Sequence, residues 1–254
     1  MHADQTSAEK SSAPARPPSH ARQHLWFGFA VAGALLFILL TAAAMLVYPG
    51  GTPTEPTRQR YSFFVNFFSD LGRTRTFTGQ PNRTSQILFT IGVMIGGAAM
   101  VYFFRAFAGC TAGCWKQGRR TAVHLSRSGA LLGVAAGICF IGVAFTPWDI
   151  YLGVHMVFVL WAFRLFLGAV LLNLLAVLLE PSLPRRTAWV FAIFAMMLIA
   201  YLILLSAGLA SSPAATAIVQ ATGQKIIVYA AIITVLVQSL EMRRHLGRKR
   251  LSNG

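Results

Sequence analysis

Residues 25–48 read LWFGFAVAGALLFILLTAAAMLVY, with no charged side chain anywhere in the run. A helix crosses a hydrocarbon core of about 30 Å with roughly 20 apolar residues, because each residue advances about 1.5 Å. Leu25 to Tyr48 is therefore read as a membrane span. The same test picks out Ser85 to Phe107, His124 to Phe145, Leu152 to Leu179, Ala188 to Ala210 and Thr216 to Leu240. Hydrophobic residues make up 56% of the chain and charged residues only 11%, and the apolar residues come in blocks rather than amphipathic stripes. The expected fold is all-α: a polytopic membrane protein with six transmembrane helices in one bundle and no separate soluble domain.

Lysine and arginine set the expected orientation, since short basic loops stay cytoplasmic. With the N-terminus inside, the inner segments collect Lys10, Arg16 and Arg22, then Lys116, Arg119, Arg120 and Arg127. They also collect Arg185 and Arg186, and finally Arg243, Arg244, Arg248, Lys249 and Arg250. Both termini are thus read as cytoplasmic. The discordant segment is the first outer loop, 49–84, which carries Arg58, Arg60, Arg73, Arg75 and Arg83. The net charge of +15 is what insertion requires and suits an anionic lipid leaflet, so no nucleic-acid partner is expected.

Residues 1–22 are rich in Ser, Ala, Pro and charge and read as a disordered cytoplasmic tail. The membrane domain spans 23–240, and 241–254 reads as a basic cytoplasmic tail. The first apolar run is longer than a signal-peptide core, so an uncleaved first helix is preferred to a cleaved signal. Cys110, Cys114 and Cys139 give an odd count without a disulfide framework, and with His124 they lack the paired spacing of a zinc site.

Ionisable groups at or below the membrane surface are costly and mark candidate sites. Asp149 and His155, at the outer end of the fourth span, are the first of these. Asp70 in the long loop and Lys225 in the last span fall toward the same side. Lys225 lies roughly 10 to 14 Å below the outer end of its helix, within reach of a carboxylate at the surface, and a contact with Asp70 or Asp149 is expected. Gln224 adjoins it and Tyr229 lies one turn deeper. Tyr61 to Leu71 is aromatic and apolar but too short to cross. On a helix, Phe63, Phe64, Phe67 and Phe68 would face lipid or bundle while Asn66 and Asp70 look toward a polar pocket. The alternative is a surface turn in which Asp70 serves as a cap ahead of Gly72. Arg164 falls near the middle of the fourth span, is expected to face the bundle interior, and is grouped with the substrate-binding residues. His155 and Asn173 are each nine residues from it and so on the opposite side of the helix. Arg105, Trp115, Trp148 and Tyr151 read as interface anchors, and Asn82-Arg83-Thr84 matches a glycosylation acceptor.

Asn66, Ser69-Asp70-Leu71-Gly72 and a helix opening near Asn82 and Ser85 resemble the first signature of a family of six-helix membrane proteins. That family is known as domain of unknown function 998. Thr146-Pro147-Trp148-Asp149 followed by His155 is similar to its Pro-x-Asp then His segment, and Gly223-Gln224-Lys225 to its Gly-x-x-Gln-Arg segment, with Lys in place of the commoner Arg. More distantly the chain resembles Frag and DRAM type membrane proteins, some tied to lipid-anchor remodelling or trafficking. The resemblance implies the six-helix fold and no established reaction.

The expected function is recognition, or modification, of a lipid or lipid-like substrate in an outward-facing pocket. Asp70, Asp149 and His155 are the candidate catalytic residues, and Asn66, Gln224, Lys225, Tyr229 and Arg164 the candidate substrate-binding ones. Asp and His could act as general base and acid; a metal on one His and two Asp is the weaker alternative, and no metal or cofactor is expected. Two other classes stay open: a non-catalytic scaffold or sensor whose charges are structural, and a transporter of small solutes or ions, for which no inverted repeat or paired broken helices speak. Whether the chain is an enzyme is not decided by its residues. Membrane lipids are the expected partners, and a bacterial inner membrane or plasma membrane the expected location.

Overall fold

The computed structural model describes residues 20–112, 118–207 and 213–252. The tail over 1–19, Cys114, Trp115 and Lys116, the last residues expected in the fifth span, and the side chains of Ser206, Lys249 and Arg250 lie outside the described residues. Six helices are long and apolar enough to cross a membrane. They are α1 (His20–Val47), α2 (Arg83–Thr111), α3 (Arg120–Phe145), α4 (Trp148–Leu178), α5 (Arg185–Ala207) and α6 (Pro213–Ser252). Among the described residues there is no strand, only two isolated bridges within the long loop.

Each helix packs on its successor and α6 returns to α1, closing a ring. The ring is filled by aromatic side chains: Phe103, Phe104 and Phe107 of α2 meet Phe163 and Phe166 of α4 and Phe191 and Phe194 of α5, all buried. The outside is as apolar as the inside. Leu46, Leu131 and Trp189 are 84%, 73% and 70% exposed, and so apolar an outer surface, on helices long enough to span, fits a lipid surround. This is an integral membrane protein.

Small residues set the α2–α3 crossing. A Cβ added to Gly97 of α2 would lie 2.6 Å from the carbonyl oxygen of Gly137 on α3, and one added to Gly137 would lie 2.7 Å from that of Gly97. Glycine brings the two backbones together where lipid supplies no hydrophobic drive and packing contacts carry the association.

Two segments depart from the expected boundaries. The segment 241–254, expected as a tail, continues α6 to Ser252, because Gln238, Met242 and Leu246 repeat every four residues and are buried. There Gln238 Nε2 donates to the Thr187 carbonyl of α5 at 2.8 Å. Residues 20–22, expected in the N-terminal tail, are the first residues of α1. At the same end of the bundle, buried Glu180 pairs with Arg119 and accepts from the Ser182 amide, bracing the α4–α5 connection.

The α2–α3 crossing yields a prediction. Gly97→Ile should overpack the contact and lower stability by about 1–3 kcal/mol, whereas Gly247→Ala, where an added Cβ meets nothing within 4 Å, should be neutral or slightly stabilising. Thermal unfolding of the two variants in detergent checks the contrast.

Candidate functional site

The long loop between α1 and α2 folds back over its end of the bundle instead of forming the expected interfacial helix. Only Phe68–Gly72 is helical, as a single 3-10 turn. The cause is local. The Phe67 amide donates to Asp70 Oδ2 at 2.9 Å, so a side chain takes a backbone donor that an α-helix would have given to the carbonyl of Phe63, while the Ser62 amide donates to Asn66 Oδ1 at 2.9 Å. The four phenylalanines are split as a result: Phe63 and Phe64 are exposed, while Phe68 is buried between α1 and α2, against Phe37 and Phe89.

Asp70, fully buried, is the hub. Its Oδ2 also accepts from Asn66 Nδ2 at 2.9 Å, and its Oδ1 from Trp148 Nε1 at 3.1 Å. Asn66 and Asp70, expected to look toward a polar pocket, are bonded to each other inside the loop. Burial raises the Asp70 pKa above the usual carboxylate value, opposed by the Asn66 hydrogen bond, the Arg73 charge and the bonds from Phe67 and Trp148. Burial likewise pushes the Tyr61 phenol well up, with the Asp70 charge adding to it. Tyr61 itself donates to the Phe67 carbonyl at 3.1 Å.

Asp149, at the first turn of α4, fastens the next part of the loop. Its Oδ2 accepts from the Thr74 amide at 3.0 Å, the Thr74 hydroxyl at 2.7 Å and the Arg75 amide at 3.2 Å. The Arg73 guanidinium is held between the rings of Phe77 and Trp148, at 4.1 and 4.3 Å from their centroids. Beneath it the Leu71 carbonyl accepts from Asn82 Nδ2 and Ser85 Oγ, at 3.1 and 3.2 Å. The amide nitrogen of the glycosylation match at Asn82 is therefore inside the fold and bonded.

From α6, Gln224 Oε1 accepts the Phe68 amide at 2.8 Å. Lys225 is buried, its ammonium donating to the Asn66 carbonyl and lying over the rings of Tyr61 and Phe63. The expected Lys225–carboxylate contact is corrected: among the described residues Lys225 forms no ion pair. Asn66, Phe67 and Trp148 already occupy the Asp70 oxygens, and Asp149 is taken up by Thr74 and Arg75. Tyr229 stands deeper, its hydroxyl 3.2 Å from Thr41 Oγ1 and its ring edge-on to Phe37 and Phe68.

His155 turns inward. Its Nδ1 lies 2.7 Å from the Thr146 carbonyl at the end of α3; a carbonyl only accepts, so Nδ1 carries the proton and Nε2 of the neutral ring is an acceptor. His155, Ser69 and Gln224 line a cavity of about 40 Å³ whose remaining wall is apolar, including Phe37, Phe68, Phe140 and Phe163. An apolar cavity of about 30 Å³ adjoins it, sharing Phe37, Val93, Phe140 and Val228. At roughly 10–15 Å³ for each water, the first holds a few waters and no lipid head group. His155 and Asp149 have separate partners, the Thr146 carbonyl for the first and the Thr74 and Arg75 amides for the second, and between them the backbone leaves helical geometry at Tyr151 (φ −119°, ψ 44°). Among the described residues no three His, Cys, Asp or Glu side chains converge as a metal site requires.

Arg164, expected to face the bundle interior and to bind substrate, does not do so. It is exposed on the outside of the bundle and does not join the cluster. The inward face of α4 is occupied by His155, Val159, Phe163, Phe166 and Asn173, and residues nine apart fall on opposite sides. An arginine at mid-membrane costs about 2.5–3.5 kcal/mol on insertion scales, and more on an isolated helix.

The residues alone did not mark Thr74, Thr41 and Tyr61 as members of the network, and Ser85 and Trp148 stood out only in the segments quoted for the resemblance and, for Trp148, as an interface anchor. Thr41 and Thr74 carry no local signal, since their partners Tyr229 and Asp149 lie far along the chain, whereas Tyr61 and Ser85 bond the nearby carbonyls of Phe67 and Leu71. No family model, curated protein or solved structure matches this chain. The resemblance to family 998 therefore rests on the residues quoted for it.

Two predictions follow from this geometry. Asp149→Ala removes the acceptor for two loop amides and a hydroxyl, and should cost about 1.5–3 kcal/mol, read as a lower melting temperature in detergent, while Asp149→Asn, which keeps an acceptor oxygen, should cost less. For Asp70 the folded-state pKa lies above the unfolded value of 3.8. Its contribution to stability is therefore complete below 3.8, shrinks as pH rises through the folded pKa, and grows again on acidification. Comparison of melting temperature against pH in wild type and Asp70→Asn should show an acid-side gain in wild type that the variant lacks.

Proposed function

We propose that this chain is a non-catalytic membrane scaffold or sensor, in which the loop-end charges are structural and hold a preformed surface over the bundle. One observation carries this reading: the carboxylates of Asp70 and Asp149 are bonded by the loop's own backbone and by Asn66, Thr74 and Trp148. A general base needs a lone pair directed at substrate, whereas these oxygens are directed at the protein. The distribution of lysine and arginine supports a loop outside and both termini in the cytoplasm, in a bacterial inner membrane or plasma membrane.

Lipid recognition or modification is the second reading, and the His155 cavity favours it. The Thr146 carbonyl fixes the ring so that Nε2 is an acceptor, Ser69 and Gln224 line the same space, and an apolar slot continues below. It ranks second because about 40 Å³ admits water and not a head group, so the loop would have to lift before a lipid entered. Resemblance to family 998 is compatible with either reading, and no feature of the site favours transport.

Native mass spectrometry with lipid identification on wild type and His155→Ala, together with hydrogen exchange over residues 61–76, separates the two. The scaffold reading expects identical co-purifying lipid in both proteins and faster loop exchange in Asp149→Ala. A stoichiometric lipid held by wild type and lost from a folded His155→Ala protein would transfer the function to lipid binding.

A further inference from the structure

Arg164 lies roughly 24 Å along the helix axis from Trp148 and roughly 21 Å from Leu178, the two ends of α4. With a hydrocarbon core of about 30 Å, that is close to the midplane. Side chains on a helix lean toward its N-terminus, so the stem of Arg164 points away from the nearer, basic end and does not snorkel there easily. Its guanidinium stands on the outer surface of the ring, and among the described residues it makes no ion pair.

The surroundings of Arg164 form a seam. Val154, Val157, Trp161, Arg164, Leu171 and Leu175 follow one another at spacings of three, four, three, seven and four, the half-buried Gly168 standing in the gap of seven, and, apart from Arg164, are large exposed apolar residues. That spacing is the one by which two helices lie along each other. In lipid the apolar members alone select no partner, because acyl chains are as apolar as leucine. The charge does the selecting. An unpaired guanidinium at this depth calls for a carboxylate at the same depth.

A second copy of this chain does not supply one. Glu55 pairs with Arg58 in the loop, Asp70 and Asp149 belong to the loop network, Glu180 pairs with Arg119 at the basic end, and Glu241 lies on the α6 segment beside Arg186 and Arg244. The remaining two acidic residues, Asp4 and Glu9, precede α1. We infer that the outer face of α4 is a docking surface for a transmembrane helix of a different protein, one that carries an aspartate or glutamate near mid-membrane and pairs with Arg164. The inference deepens the scaffold reading by giving the chemistry of what the scaffold holds. It can fail separately, because Arg164 is on the far side of α4 from the loop network and its replacement leaves loop exchange unchanged.

The test uses the full chain in phosphatidylcholine vesicles with a synthetic poly-leucine transmembrane peptide carrying one central Glu, and a matched peptide carrying Gln. Association is read by fluorescence transfer between a donor at the C-terminal end of the chain and an acceptor on the peptide. Wild type should bind the Glu peptide about tenfold more tightly than the Gln peptide. Arg164→Leu, which suits lipid and should fold, should abolish the preference, and Arg164→Lys should retain part of it. Equal binding of both peptides by wild type overturns the proposal. So does Arg164-dependent self-association without peptide, which would make the occupant a second copy. A Glu preference that vanishes when phosphatidylglycerol is added, with phosphatidylglycerol retained by wild type and not by Arg164→Leu, would assign the site to an anionic lipid instead.

Discussion

A backbone that leaves helical geometry at the edge of a membrane must find partners for its amides, and in this chain two carboxylates meet that demand. Asp70 closes the 3-10 turn at Phe68–Gly72, and Asp149 takes the amides of Thr74 and Arg75. Each comes from a different part of the chain, so the loop is tied at once to itself and to the start of α4. Lys225 and Gln224 add ties from α6, meeting the Asn66 carbonyl and the Phe68 amide. Burying Lys225 without a carboxylate partner is costly, and here a carbonyl and two aromatic faces offset that cost.

The same demand explains why an aromatic, helix-like stretch does not fold as a helix. Asn66 and Asp70 are four apart, as on a helix face, yet they bond the amides of Ser62 and Phe67, and the second of these is a donor the helical ladder would have needed. Phe68 is then free to enter the core beneath, where it meets Phe37, Phe89 and Tyr229. Polar side chains thus decide where an apolar one is buried.

Helix α4 carries two opposed roles on two faces. Its inner face places His155 at the Thr146 carbonyl and Asn173 against Ser126 of α3, where Asn173 Oδ1 accepts from Ser126 Oγ at 3.3 Å. Its outer face shows Arg164 to the membrane. A helix repeats every 3.6 residues, so residues nine apart do not share a surface. A charge on the outer face has to be satisfied from outside the fold, while the inner face closes on itself.

The sequence by itself determined the six spans, the return of both ends to one side of the bundle, and the end at which the polar residues collect. Hydrophobic length and charge asymmetry are local or additive quantities, legible without knowing what touches what. It also marked Asn66, Asp70, Asp149, His155, Gln224 and Lys225, because polar groups are rare enough near a membrane to stand out. Only the tertiary structure decided their bonds. It paired Asp149 with Thr74 and Arg75, gave Trp148 to Asp70, left Lys225 on a carbonyl, and turned Arg164 outward. Those outcomes depend on which groups the folded chain brings together across long separations and on how α4 is rotated in the ring. Neither is contained in the hydropathy or spacing of a single segment.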